Sequence, residues 1–192
     1  MTAVAETYLD ETAETYRNDV VATIAAHVEV LASFVLGSGL VGGYRPGESD
    51  LDLVVVVDAP LRGEARRTAI ERIAALELPG RRLELVVYLR GDRPPDFDLN
   101  LEVDADGVRE APDEADHWFV IDAGMAQERI PAWTDYFDPV PEDRVREAVL
   151  SSLAWSEQWP DLEFARLNAA RARHYLEHGE WMPKARAQKE ER

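Results

Sequence analysis

The stretch Val35-Leu-Gly-Ser-Gly-Leu-Val-Gly-Gly-Tyr-Arg-Pro-Gly-Glu-Ser-Asp-Leu-Asp-Leu-Val-Val-Val-Val-Asp58 decides the fold. An apolar run, Ser33–Gly37, reads as a strand that ends in Gly37-Ser38. From Gly37 to Gly47 there are five glycines and one proline, so neither helix nor strand is expected across most of that segment. Ser49-Asp50-Leu51-Asp52 then opens a β-branched run, Leu51–Val57, which reads as a buried strand. Asp50 and Asp52 are two residues apart on an extended chain, so their side chains point to the same side. Two carboxylates that close repel unless a cation lies between them. A hard divalent cation such as Mg²⁺ takes oxygen ligands and keeps waters and phosphates for the rest of its shell. Gly37 and Ser38 offer a backbone N–H and a hydroxyl to phosphate oxygens, with little side chain in the way.

Working outward, Leu83–Leu89 (LELVVYL) reads as another strand. It carries Glu84 between Leu83 and Leu85, where a carboxylate is costly without a role. A neighbouring strand would bring Glu84 beside Asp50 and Asp52, to take a proton from an attacking hydroxyl or to act as a further metal ligand. A helix is expected over Thr7–Val30, from the spacing of Tyr8, Thr12, Tyr16, Val20 and Ile24, and another over Gly63–Leu76. Asp98–Val103 (DLNLEV) alternates apolar and polar residues as an edge strand does. After Gly107 the patterns are helical, at about residues 114–129, Glu142–Ser156 and Asp161–His178, with Asp161 placed to act at a helix start. The expected fold class is mixed α+β: a small mixed sheet flanked by helices over residues 1–109, then an all-α domain over 110–192.

Composition narrows the function. The 192 residues carry 38 acids and 21 basic residues, a net charge of −17, and no cysteine. Such a charge argues against nucleic acid and against anionic membranes as partners. The lack of cysteine excludes disulfides, thiolate catalysis and Cys-ligated zinc. No targeting or membrane segment is read, so a cytoplasmic location is expected. Between Asp92 and Asp116 there are 10 acids and 2 basic residues, either a solvated edge or an attractor for a polycation. His174 and His178 lie four apart on a helix and read as a surface pair, since no third ligand is evident. Trp118, Trp133, Trp155, Trp159 and Trp181 all fall in the helical half and read mostly as packing, with Trp155, Trp159 and Trp181 as candidates to line a cleft.

Gly37-Ser38, eleven residues, then Asp50-Leu51-Asp52, with Glu84 on the following strand, resembles the polymerase-beta-like nucleotidyltransferase superfamily. Phe137-Asp138-Pro139-Val140-Pro141 and Gly179-Glu180-Trp181-Met182-Pro183-Lys184 make the chain similar, within it, to the aminoglycoside adenylyltransferases that act on streptomycin and spectinomycin. The resemblance implies that Asp50 and Asp52 bind Mg²⁺ with the phosphates of ATP. Gly37, Ser38 and Ser49 would lie at the nucleotide, and Glu84 would be the base, or a further metal ligand. It implies that Lys184 reaches the phosphates from the helical domain and that Asp161 contacts a cationic aminoglycoside or aminocyclitol acceptor. AMP would pass from ATP to a hydroxyl of that acceptor, releasing pyrophosphate. The chain departs from that family at Val103-Asp104-Ala105-Asp106, where relatives carry an aromatic residue, and in a helical domain shortened after Lys184. Transfer to a protein or another small molecule, and nucleotide binding without catalysis, stay open as alternatives.

Overall fold

The computed structural model describes residues 7–111 and 115–190. It is mixed α+β, as expected. In chain order the first unit contains α1 (Glu11–Ala25), β1 (Val30–Val35), α2 (Gly37–Val41), β2 (Asp50–Val57), α3 (Gly63–Ala74), β3 (Arg82–Leu89), β4 (Leu99–Asp104) and β5 (Gly107–Glu110). The strands form one sheet in the order β1-β2-β3-β4-β5. Only β2 and β3 run parallel, joined by the α3 crossover; the other pairs are antiparallel. The chain divides into Met1–Asp113 with Ala132–Asp138, and Glu114–Pro131 with Pro139–Arg192.

The period-two pattern of the strands explains the two faces of the sheet. Leu51, Leu53, Val55 and Val57 on β2, Leu83, Leu85 and Val87 on β3, and Leu99, Leu101 and Val103 on β4 form one continuous buried layer. Tyr16, Val20 and Ile24 of α1 and Ile73 of α3 cover it. Each such side chain, fully buried, contributes about 1.5–3 kcal/mol. The other face is divided along its length. At one end Phe34, Val54, Val56 and Tyr88 are buried. There the chain returns after its first C-terminal helix: Trp133 stacks on Phe137 at 4.2 Å and meets Phe34 at 5.3 Å, while Phe137 meets Tyr88 edge-on at 5.3 Å. The Tyr136 hydroxyl donates to the Leu31 carbonyl at 3.2 Å. At the other end the same face carries Asp50, Asp52, Arg82, Glu84, Glu102 and Asp104.

Four expectations change. The first helix stops at Ala25 and Val30 already belongs to β1, because the buried spacing of four ends at Ile24 and the β-branched Val30 pairs with Val57. The glycine-rich segment begins with a helical turn, α2, in which Leu40 is buried and which closes on left-handed Gly42. β4 is not an edge: Asp104 accepts the Asp106 N–H at 2.9 Å, the chain turns, and β5 becomes the edge. Trp133 packs in the sheet unit rather than among the helices, because Phe34 and Phe137 offer it an aromatic pocket there.

The helical unit contains α4 (Asp116–Arg129), α5 (Glu142–Glu157), α6 (Glu163–His178) and α7 (Lys184–Glu190). Val145, Val149, Ala172 and Tyr175 form a buried cluster, on which Trp181 stacks against Tyr175 at 4.1 Å. Gly124 lets α4 and α5 close up, since a Cβ there would stand 2.8 Å from Val145. The Asn168 amide donates to the Ser152 and Ser156 hydroxyls, both at 2.7 Å, which satisfies polar groups between α5 and α6. Leu162, not Asp161, holds the N-cap position of α6.

Candidate active site

Register places the acidic residues. In the parallel pair Asp52 faces Glu84, and in the next, antiparallel pair Glu84 faces Glu102. Facing residues share a side of the sheet, so these three carboxylates lie abreast on one row. Asp50, Arg82 and Asp104 form the neighbouring row. Asp50 and Asp52 point to the same face because β2 is extended from its first residue.

The glycine turn is built around Asp52. The Leu36 N–H donates to the Asp52 carbonyl at 2.9 Å, which extends the β1–β2 pairing to the start of α2. Gly37 follows at φ +50°, and a Cβ on it would lie 1.8 Å from Asp52 Oδ2. The carboxylate thus occupies the space that any other residue at 37 would fill. Ser38 takes the next position of α2, and its carbonyl accepts the Gly43 N–H at 2.9 Å. Ser49 is engaged in its own loop: its hydroxyl accepts the Arg45 N–H at 3.0 Å. Its carbonyl accepts the Arg81 N–H at 3.0 Å, and the Gly47 N–H donates to the Pro79 carbonyl at 3.0 Å. These bonds join the loop before β2 to the loop before β3.

The electrostatics follow from this crowding. Glu84 is pushed from an ordinary 4.5 up to about 9, first by desolvation, then by the charges of Asp52 and Asp50 and a hydrogen bond shared with Asp52, against a smaller lowering by Arg82. Arg82 stands 3.3 Å from Glu84 and 3.2 Å from Glu102. Arg109 also pairs with Glu102. Arg81 binds Asp50 in a two-pronged pair, Nε to Oδ1 at 2.9 Å and Nη2 to Oδ2 at 2.6 Å, and this bond and charge raise its own pKa.

Asp50, Asp52 and Glu84 offer only carboxylate oxygens, the donors that a hard cation takes. Gly37 leaves room for one of them. Among the described residues no three His, Cys, Asp or Glu side chains form a ready cation cage; Arg81 holds Asp50, and Glu84 is bonded to Asp52. The donor chemistry fits Mg²⁺, with Arg81 as the competing cation.

Gly37, Ser38, Ser49, Asp50, Asp52 and Glu84 all belong to the sheet unit. Lys184, exposed at the start of α7, and Asp161, exposed before α6, belong to the helical unit. The Asp161 carbonyl accepts from Arg166 at 3.3 Å. Arg81, Arg82 and Glu102 also stand at this site, with little in the sequence to mark them. An Arg-Arg doublet two residues before Glu84, and Glu102 in the alternating strand, were the available signals. Much of the acidic run has internal partners. Asp98 accepts the Leu61 N–H at 2.9 Å and lies 3.8 Å from Arg66. Glu110 pairs with Arg66 at 2.6 Å, and Asp92 accepts the Leu89 N–H at 2.7 Å. Asp113 and Glu114 lie outside the described residues.

This sheet, with a glycine turn opposite a DxD strand and helices following, is a nucleotidyltransferase-like fold. Among solved structures it is similar to spectinomycin adenyltransferase AAD(9) from Enterococcus faecialis, solved with ATP and spectinomycin. The TM-score is 0.69 at 19% identity, over 91% of this chain and 80% of that one. No protein-family model and no curated protein matches the chain. Among the described residues no helix is long and apolar enough to cross a membrane.

Proposed function

We propose that the protein transfers AMP from ATP to a hydroxyl of a cationic aminoglycoside or aminocyclitol such as streptomycin or spectinomycin. The observation that carries this reading is the row of Asp52 and Glu84 beside Asp50, with Gly37 stripped of the Cβ that would displace Asp52. The similarity of fold to an adenyltransferase solved with ATP and spectinomycin supports it. In this reading Asp50 and Asp52 are the carboxylates that would hold Mg²⁺ together with the nucleotide phosphates, and Ser38 contacts those phosphates. Glu84 takes the proton of the acceptor hydroxyl as its oxygen attacks the α-phosphate in line and pyrophosphate leaves. Bound at Asp50 and Asp52, Mg²⁺ would supply positive charge to neutralise the phosphates and relieve the repulsion on Glu84. Lys184 is assigned to the phosphates and Asp161 to the cationic acceptor.

The ion pair of Arg81 with Asp50 favours one other reading, nucleotide binding without turnover. Mass spectrometry of an aminocyclitol mixture incubated with the protein and Mg-ATP decides between them. An adenylylated acceptor with matching pyrophosphate release is expected. ATP binding with neither product selects the second reading.

A further inference from the structure

Arg81 does not resemble the other arginines on this face of the sheet. Arg82 is shared by Glu84 and Glu102, and Arg109 pairs with Glu102. Among the described residues Arg81 takes both oxygens of Asp50, at 2.9 and 2.6 Å. Its backbone is tied to the β2 loop through the Ser49 carbonyl. Its side chain is 59% exposed while that of Asp50 is 22% exposed. The guanidinium is therefore a solvent-facing cap on an inward carboxylate. A two-pronged guanidinium pair uses the same lone pairs and the same negative charge that a divalent cation needs. Released from Asp50, the same group has the donor fork that binds phosphate oxygens in pairs.

We propose that Arg81 is an exchangeable counter-cation: it occupies Asp50 in the nucleotide-free protein and passes to the triphosphate when metal and nucleotide bind together. This inference rests on the nucleotidyl-transfer reading of the site. Its consequence is order. Metal alone must displace Arg81 with no compensation, and so binds weakly. Metal with triphosphate gives Arg81 a new anionic partner, and so binds cooperatively. The coupling is reciprocal, so nucleotide also binds weakly without metal.

The test measures Mn²⁺ binding to the full chain by titration calorimetry and electron paramagnetic resonance, with and without ATP. Arg81→Ala and Arg81→Gln are compared with Arg109→Ala, which removes the same charge from the same face without touching Asp50. Both Arg81 variants are expected to bind Mn²⁺ alone about tenfold more tightly than the native protein and to lose most of the tightening caused by ATP. Arg109→Ala should stay within about twofold of native. Equal Mn²⁺ affinity in native protein and Arg81 variants overturns the proposal and leaves the metal-site reading intact. Equal tightening by Arg109→Ala also overturns it, since bulk charge then explains the effect. Failure of every protein to bind Mn²⁺, with or without ATP, overturns the transfer reading itself and the inference with it.

Discussion

Glu84 on β3 stands directly opposite Asp52 on the parallel strand β2, and the two carboxyl groups share a hydrogen bond. A parallel pair brings them together without a hairpin, because the α3 crossover returns the chain in the same direction. The pairing keeps Glu84 protonated while the neighbouring negative charges stand, and neutralising them lowers its pKa, so that it ionises and can accept a proton.

Replacing Glu84 with Gln keeps the size of the side chain and removes the base. Turnover should fall by about 10²–10⁴-fold, with ATP binding preserved. Steady-state pyrophosphate release and a separate ATP titration check this. An unchanged rate would remove Glu84 from the proton-transfer role.

The metal-free protein should lose stability as pH rises. Glu84 is raised from 4.5 to about 9 on folding, so the folded state favours its protonated form. The stability this contributes is fully present below about pH 4.5 and is lost as pH climbs through about 9. Melting temperatures of native protein and Glu84→Gln, compared across that range without divalent cations, should diverge. Native protein should fall relative to the variant as pH rises, and the gap should narrow on adding Mg²⁺. Parallel curves would contradict the raised value.

Gly37→Ala should disturb the site more than its size suggests. The new methyl would lie 1.8 Å from Asp52 Oδ2 at a backbone φ of +50°. Asp52 must move, and the left-handed backbone adds strain of about 1–2 kcal/mol. Expected outcomes are a loss of turnover of about 100-fold or more and a lower urea midpoint. Full activity in this variant would show that the position of Asp52 is unimportant.

Trp133→Ala should destabilise the sheet unit by about 3–5 kcal/mol, because it empties the pocket between Phe34 and Phe137. Trp133→Phe should cost less, since the indole Nε1 is buried without a hydrogen-bond partner. Chemical denaturation of the two variants separates these outcomes. Equal losses would point to an unseen role for the indole N–H.

Lys184→Ala removes an exposed charge at the start of α7. If it serves the phosphates, KM for ATP should rise about tenfold with the melting temperature within a degree or so of native. An unchanged KM would leave it an ordinary surface lysine.

By itself the sequence determined what depends on short-range order along the chain. The mixed α+β class, the strands at β2 and β3, and the shared side of Asp50 and Asp52 all follow from a two-residue repeat that needs no partner to be read. Glu84 was legible because a carboxylate between Leu83 and Leu85 breaks an apolar run. Tertiary structure decided what depends on register and on contacts between distant segments. Only the pairing of β2 with β3 sets Asp52 against Glu84 rather than one residue away, and a slip of one would turn Glu84 to the other face. The pairing of Asp50 with Arg82, and the bonds joining Ser49 to Arg81 and Gly47 to Pro79, bring Arg81 to Asp50. The return of Trp133 to the sheet came from the aromatic pocket it fills, which no local pattern encodes. The reason is common to all three: side-chain direction repeats along a strand, but which strand, loop or pocket lies beside it is settled by packing across the whole unit.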